Sequence, residues 1–209
     1  VEEQLAKGVF QYVLLGAGLD TFAFRRPELS AKMKIYEIDQ PGPQKWKLKR
    51  IADAGLEVPQ NLYFVPVDFE TQQPWVGSLV ESGFELAEPA TVVSTGVSMY
   101  LSKETNLETF RKVAQLTKGT VFAMTFLLKL ELLSALERAL MQFVMQKAEE
   151  GGTPFLSLFA PEEVLEMARE AGLKAARCEP AESLFNRYLA RRGDELKMGE
   201  AEAFLVAQV

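Results

Sequence analysis

One feature limits what this chain can fold into more than any other: the run Val13-Leu-Leu-Gly16-Ala-Gly18-Leu-Asp20-Thr21. The stretch Gln11–Leu15 before it is apolar and β-rich, and it ends in two closely spaced glycines. Glycine has no Cβ, so two of them directly after a strand permit a sharp turn and let a ligand approach the backbone. A helix that follows offers N–H groups with no partner inside the helix. The next strand-like run ends Tyr36-Glu37-Ile38-Asp39. An acidic side chain about twenty residues after such glycines is placed to receive ribose hydroxyls. Glycine loop and acidic strand end together indicate an adenosine-containing cofactor, although a tight strand-to-helix turn alone also favours glycine.

The rest of the chain repeats the alternation. Strands are expected at Gln11–Leu15, Lys34–Ile38, Leu62–Val67, Thr91–Thr95 and Thr120–Phe126, with Leu173–Cys178 and Ala203–Val209 as a closing pair. Between them lie helix signals. Ser102 is a good N-cap, followed by Leu107, Phe110, Val113 and Ala114 at helical spacing and by the stop Lys118-Gly119. Pro161 suits a first helical turn, with Glu162 and Glu163 at its positive end and Val164, Ala168 and Ala171 as the buried stripe. Pro43–Ala54 is a further helix, whose Lys45, Lys47, Lys49 and Arg50 read as a solvated face. Strands alternating with helices predict an α/β fold: a mostly parallel sheet with helices on both faces and its ligand at the carboxyl ends of the strands.

Leu130–Lys147 stands outside this alternation as a helical insertion near 130–150. Leu132, Leu133, Leu136, Leu140, Phe143 and Val144 form one wide apolar stripe on it. The plainer reading is a helix packed on the core. The functional one is a lid within 128–160 over a substrate, or a homodimer contact.

Composition excludes several chemistries. The 209 residues suit a single domain spanning 1–209. There is no histidine and only one cysteine, Cys178. Ser-His and Cys-His nucleophile pairs and cysteine-based zinc sites are therefore out of reach, and no metal site is expected. The net charge of -6 offers no basic field for nucleic acid. No apolar run reaches the ~20 residues of a membrane span, and no signal peptide is visible, so a cytoplasmic protein without a membrane partner is expected. The chain starts at Val1, almost directly before the first strand, which suggests that an N-terminal segment is missing.

The glycine loop departs from the dinucleotide pattern G-x-G-x-x-G/A, because Thr21 holds the third position. That argues against an NAD(P)-dependent oxidoreductase. S-adenosylmethionine has no phosphate and tolerates a looser turn. After the third strand comes Val67-Asp68-Phe69, where an acid can reach the adenine amino group while the ring packs on the base. The alternative for Asp68 is an ordinary exposed residue.

Taken together, these elements resemble the leucine carboxyl methyltransferase family and its bacterial O-methyltransferase branch. Leu15-Gly-Ala-Gly-Leu-Asp-Thr-Phe-Ala-Phe-Arg25 is similar to the family signature LGAGLDT-x-x-x-R. Tyr36-Glu-Ile-Asp-Gln-Pro41 resembles its FEVD-x-P element, Val67-Asp-Phe69 its DL element, and Ser98-Met-Tyr-Leu101 its L-x-YL element. Asn186-Arg-Tyr188 is like a tail motif of the bacterial branch. The resemblance implies a class I methyltransferase (Rossmann-like) fold, with a mostly parallel seven-stranded sheet whose last strand is antiparallel. It implies S-adenosylmethionine as cofactor, with contacts at Gly16, Asp39, Asp68 and Phe69. Ala17, Gly18, Asp20, Arg25, Glu37 and Thr95 complete the expected cofactor set. One departure is plain: much of the family carries a glutamate after the fourth strand, where this chain reads Ser94-Thr95-Gly96. The family's basic N-terminal residues are also not evident, and Arg25 or Arg26 is the expected substitute.

The implied function is O-methyl transfer to a carboxylate or hydroxyl of a small molecule. The alternative is a cofactor-binding protein that has lost catalysis. Tyr100, just after the fourth strand, is the candidate catalytic residue, with core packing as its other reading. Phe155 and Phe159 are expected either at the acceptor pocket or in the core, and Arg187 and Tyr188 share that ambiguity.

Overall fold

The β-branched and aromatic runs fold as strands within one or two residues of the expected bounds. The computed structural model of the chain describes residues 1–69, 75–194 and 198–209. The strands are β1 (Gln11–Leu15), β2 (Lys34–Asp39), β3 (Leu62–Pro66), β4 (Ala90–Ser94), β5 (Val121–Leu127), β6 (Lys174–Glu179) and β7 (Glu202–Gln208). The helices are α1 (Glu2–Leu5), α2 (Phe22–Arg25), α3 (Pro27–Ser30), α4 (Pro41–Asp53), α5 (Trp75–Glu81), α6 (Lys103–Ala114), α7 (Ala135–Glu150), α8 (Pro161–Glu170) and α9 (Ala181–Tyr188). The sheet has seven strands in the order β3-β2-β1-β4-β5-β7-β6. Strand β1 pairs in parallel with β2 and β4, β2 pairs in parallel with β3, and β6 and β7 are antiparallel. Among the described residues no helix is long and apolar enough to cross a membrane.

The chain divides into two compact units. One comprises Val1–Ser94, Gln115–Phe122 and Val209; the other comprises Thr95–Ala114 and Ala123–Gln208. In the first, all five residues of β1 are buried, the mark of a central parallel strand covered on both faces. Tyr12 and Leu14 share one face with Ile35 of the neighbouring β2, and Ala17, Ala23, Met33 and Leu62 complete that cluster. The register pairs Tyr12 with Ile35 and Leu14 with Glu37, so alternation puts Glu37 on the same face, one pleat before Asp39.

That carboxylate explains α4. The buried positions of the helix are Gln44, Lys47 and Ile51, at helical spacing, while Trp46 is 53% exposed. The expectation that Lys47 lies on a solvated face is therefore wrong. Its ammonium donates to Glu37 Oε2 at 2.5 Å, with both side chains almost fully buried, whereas Lys45, Lys49 and Arg50 do face solvent. Two charges leave water at a cost of several kcal/mol each, and close pairing offsets it. Gln44 Nε2 donates to the carbonyls of Glu37 at 2.8 Å and Val65 at 3.1 Å, tying β2 to β3.

In the second unit the helix signals hold. Ser102 Oγ accepts from Thr105 N–H at 3.0 Å and caps α6. Glu163 reaches back to the Ala160 N–H at 2.8 Å at the start of α8. The buried stripe of α6 is Asn106, Thr109, Phe110 and Val113, rotated from the expected one toward two polar residues. The long insertion differs more. It is a short 3-10 turn at Leu130–Leu132 and then α7, capped by Ser134. Of the stripe expected to pack on the core, only Leu133 is buried. The helix packs instead through Met141, with Met145 beside it, against Met99 and Leu127. Strand β6 ends the sheet: Lys174 is exposed, the register shifts between Lys174 and Arg177, and Ala175 takes a φ of 47°.

The buried pair yields a prediction. Burial pushes the Glu37 carboxyl up to about 7, against the pull of the Lys47 ammonium. A carboxyl raised in the folded state favours folding most at acid pH and loses that contribution as pH rises toward about 7. Lys47→Met strands a buried carboxylate and is expected to cost about 3–5 kcal/mol at pH 8, and less at pH 5. The double variant Glu37→Gln/Lys47→Met recovers most of the loss. Denaturant unfolding at both pH values checks this; a single variant as stable as the parent at pH 8 would contradict it.

Candidate functional site

The first unit builds the expected loop from three chain segments. Gly16 has φ 69° and Gly18 φ 48°, backbone conformations that side chains with a Cβ resist. The N–H groups of Gly16 and Ala17 both donate to Ile38 O, at 2.8 and 3.1 Å. The loop then turns so that Gly18 N–H donates to Asp39 Oδ2 at 2.5 Å. The other oxygen of Asp39 accepts from Gln40 N–H at 2.7 Å. Gln40 in turn donates its side-chain amide to Asp68 Oδ1 at 3.2 Å. The glycine loop, the end of β2 and the residue pair after β3 thus meet through named hydrogen bonds. Asp39 and Phe69 are half-buried, and Gly18 is exposed.

The neighbouring candidates take local roles. Asp20 accepts from Phe22 N–H at 2.7 Å and opens α2. Arg25 donates to Thr21 Oγ1 at 2.6 Å. Each has its own partner, so Asp20 and Arg25 shape two separate local turns. Arg26 is committed to Glu28 at 2.6 Å and Glu2 at 2.5 Å. Glu37 does not share the surface of Asp39: its carboxylate points into the interior and meets Lys47.

In the second unit, Thr95 is exposed directly after β4, and Gly96 follows at φ 69°. Thr125 binds this loop twice: its Oγ1 accepts from Gly96 N–H and its carbonyl accepts from Ser98 Oγ, both at 2.8 Å. Asn106, buried on α6, donates to Ser98 O at 3.0 Å, Leu101 O at 3.3 Å and Ser102 O at 2.9 Å. Ser157 Oγ donates to Leu101 O at 2.7 Å, and Leu156 N–H to Met99 O at 2.6 Å. Tyr100 stays 41% exposed on this braced loop, its ring edge-on to Phe155 at 5.4 Å. Phe159 is 1% exposed and packs edge-on to Phe126, which makes it core rather than pocket lining. Arg187 lies over the ring of Tyr188, 66% exposed at the end of α9.

Sequence reasoning missed Gln40, Gln44, Lys47, Asn106, Thr125 and Ser157. One signal was available: Asn106 and Thr109 stand at the spacing of Phe110 and Val113, so polar side chains share the buried face and need partners there. Among the described residues no group of three or more His, Cys, Asp or Glu is arranged to hold a metal ion.

Comparisons with known proteins bear on the family and the fold. The family model described as leucine carboxyl methyltransferase matches residues 1–114. Over 209 residues the chain is 28% identical to YktD of Bacillus subtilis (strain 168), named provisionally as an S-adenosyl-L-methionine-dependent methyltransferase; the alignment covers 99% of this chain and 68% of YktD. A DUF574 family protein from Streptomyces avermitilis superposes with a TM-score of 0.69 at 15% identity, over 97% of this chain and 76% of that one. Human N-acetylserotonin methyltransferase in complex with SAM superposes at 0.59 and 15% identity, over 99% of this chain and 49% of that one. The shared fold is that of class I methyltransferases.

The brace on the 95–101 loop is testable. Asn106→Leu keeps the volume but removes the side-chain donor from three carbonyls, each of which keeps one other donor. It is expected to destabilise the chain by about 1–3 kcal/mol. Thermal or denaturant unfolding measures this, and no loss of stability would show that water replaces the amide.

Proposed function

The chain belongs to the leucine carboxyl methyltransferase family, as the match over residues 1–114 establishes, and from that premise we propose that it uses S-adenosylmethionine to methylate an oxygen of a small organic acceptor. The acceptor group is a carboxylate or a hydroxyl. The observation that carries the cofactor assignment is Asp39, held by Gly18 N–H on one oxygen and Gln40 N–H on the other. A carboxylate has about four acceptor positions, so two remain for a ribose diol.

The residues present fit this cofactor. Gly16, Ala17 and Gly18 allow close approach to the backbone, Asp68 suits the adenine amino group, and Phe69 suits the base face. Asp20 and Arg25 shape the loop around them. Glu37 acts from beneath: its charge, neutralised by Lys47, sits one pleat below Asp39. Thr95 offers a hydroxyl where much of the family carries a glutamate. When bound, S-adenosylmethionine supplies a methyl group on a sulfonium, open to in-line displacement. The protein's share is alignment and exclusion of water. Tyr100 is the residue proposed to touch the acceptor, with Phe155 supporting its ring. A carboxylate acceptor needs no general base. A hydroxyl acceptor needs one, and in a chain without histidine it must be Asp, Glu, Tyr or Lys.

One observation favours a second reading. The exposed Thr95 carries no charge, so a protein that binds S-adenosylmethionine without turning over is consistent with it. Incubation with labelled cofactor and a panel of small carboxylic acids and phenols separates the two, because only an enzyme releases labelled ester or ether.

Asp39→Ala is expected to weaken S-adenosylmethionine binding by about tenfold or more, roughly 1.4 kcal/mol. Calorimetric titration with S-adenosylmethionine, S-adenosylhomocysteine and NAD measures it. Unchanged affinity in the variant would refute the site, and NAD binding by the parent in place of the other two would refute the cofactor.

A further inference from the structure

Helix α4 begins on a glutamine that does not cap it. Gln40 holds the N-cap position, where a short polar side chain usually accepts from a helix N–H, yet its side chain makes no such bond. Its amide goes elsewhere: Nε2 donates to Asp68 Oδ1 at 3.2 Å. The backbone of the same residue is pinned. Its N–H donates to Asp39 Oδ1 at 2.7 Å, and its carbonyl accepts from Gln44 N–H at 3.2 Å as the helix starts. Pro41 follows and disfavours a helical ψ before it, and Gln40 takes φ -59° and ψ 148°. Gln44 then ties this turn to both strands through the carbonyls of Glu37 and Val65. One residue thus meets the acid at the end of β2 with its backbone and the acid after β3 with its side chain.

We infer that Gln40 is a positioning residue, whose amide holds Asp68 to accept from a purine with a 6-amino group and to reject one with a 6-oxo group. The inference rests on the cofactor reading above, in which Asp68 receives the adenine amino group. A carboxylate has about four acceptor positions, and a donor on one of its oxygens limits how the rest are turned. An amino group donates to a carboxylate held in this way. A 6-oxo oxygen brings a second acceptor against it, so the bond is lost and both groups are left unsatisfied. The donor is also neutral. It orients Asp68 without cancelling the charge, as a lysine would, and a charged acceptor makes the stronger bond to the amino group. Gln40 is exposed, so its side chain carries little of the fold's stability.

Calorimetric titration of the chain with S-adenosylhomocysteine and with S-inosylhomocysteine, its 6-oxo counterpart, tests this. The parent is expected to bind the first about a hundredfold more tightly. Gln40→Met keeps the length of the side chain and removes the donor. It is expected to cut that ratio about tenfold, whereas a merely structural role weakens both ligands alike and leaves the ratio as it was. Gln40→Glu sets a second carboxylate against Asp68 and is expected to weaken S-adenosylhomocysteine about tenfold. Because Gln40 acts through Asp68, the double variant Gln40→Met/Asp68→Ala is expected to bind no more weakly than Asp68→Ala alone. Circular dichroism and the melting temperature confirm that the variants fold. A parent ratio near one, an unchanged ratio in Gln40→Met or additive losses in the double variant would overturn the inference and leave the cofactor reading standing. A parent that binds neither ligand would overturn both.

Discussion

A buried charge pair underlies the first unit. Glu37 lies on the face of β2 that also carries Asp39, and without Lys47 the strand would hold a carboxylate in the interior with only other acids nearby. The lysine settles three things together. It keeps the interior near neutrality, it fixes which face of α4 turns inward, and it allows Asp39 to remain a hydrogen-bond acceptor at the strand end. The polar inner face of α4 follows from this: Gln44 spends its amide on two strand carbonyls and Lys47 its charge on one acid, while Trp46 is left outside.

The second unit solves a related problem with neutral groups. The loop after β4 has many carbonyls and little regular structure. It is held by side chains that arrive from elsewhere in the sequence: Asn106, Thr125 and Ser157. Each bond contributes only about 1 kcal/mol, but together they hold the backbone in one conformation. Tyr100 and Thr95 therefore sit on a prepared surface.

Most strand limits were legible because the parallel strands are short apolar runs between glycines and helix caps, and that pattern survives folding unchanged. The glycine loop and Asp39 were legible for the same reason: their spacing along the chain is their meaning. Lys47 was not, because a lysine among Lys45, Lys49 and Arg50 has the pattern of a wet helix face, and only the partner on β2 reverses it. The same holds for α7. Periodicity finds an apolar stripe but cannot choose between two, and the methionines at 141 and 145 took the core in place of the leucines. Asn106 lay hidden because a buried amide is defined by three carbonyls that no local pattern announces.

The end of the sheet at β6 has a consequence for assembly. An open strand edge is a template on which chains add without limit, one after another. Here the register shift between Lys174 and Arg177, the left-handed turn at Ala175 and the exposed charges interrupt the row of donors and acceptors that another strand would need. The β6 end of the sheet therefore offers a second chain no unbroken row of donors and acceptors to extend, and open-ended growth by strand addition is discouraged at that edge.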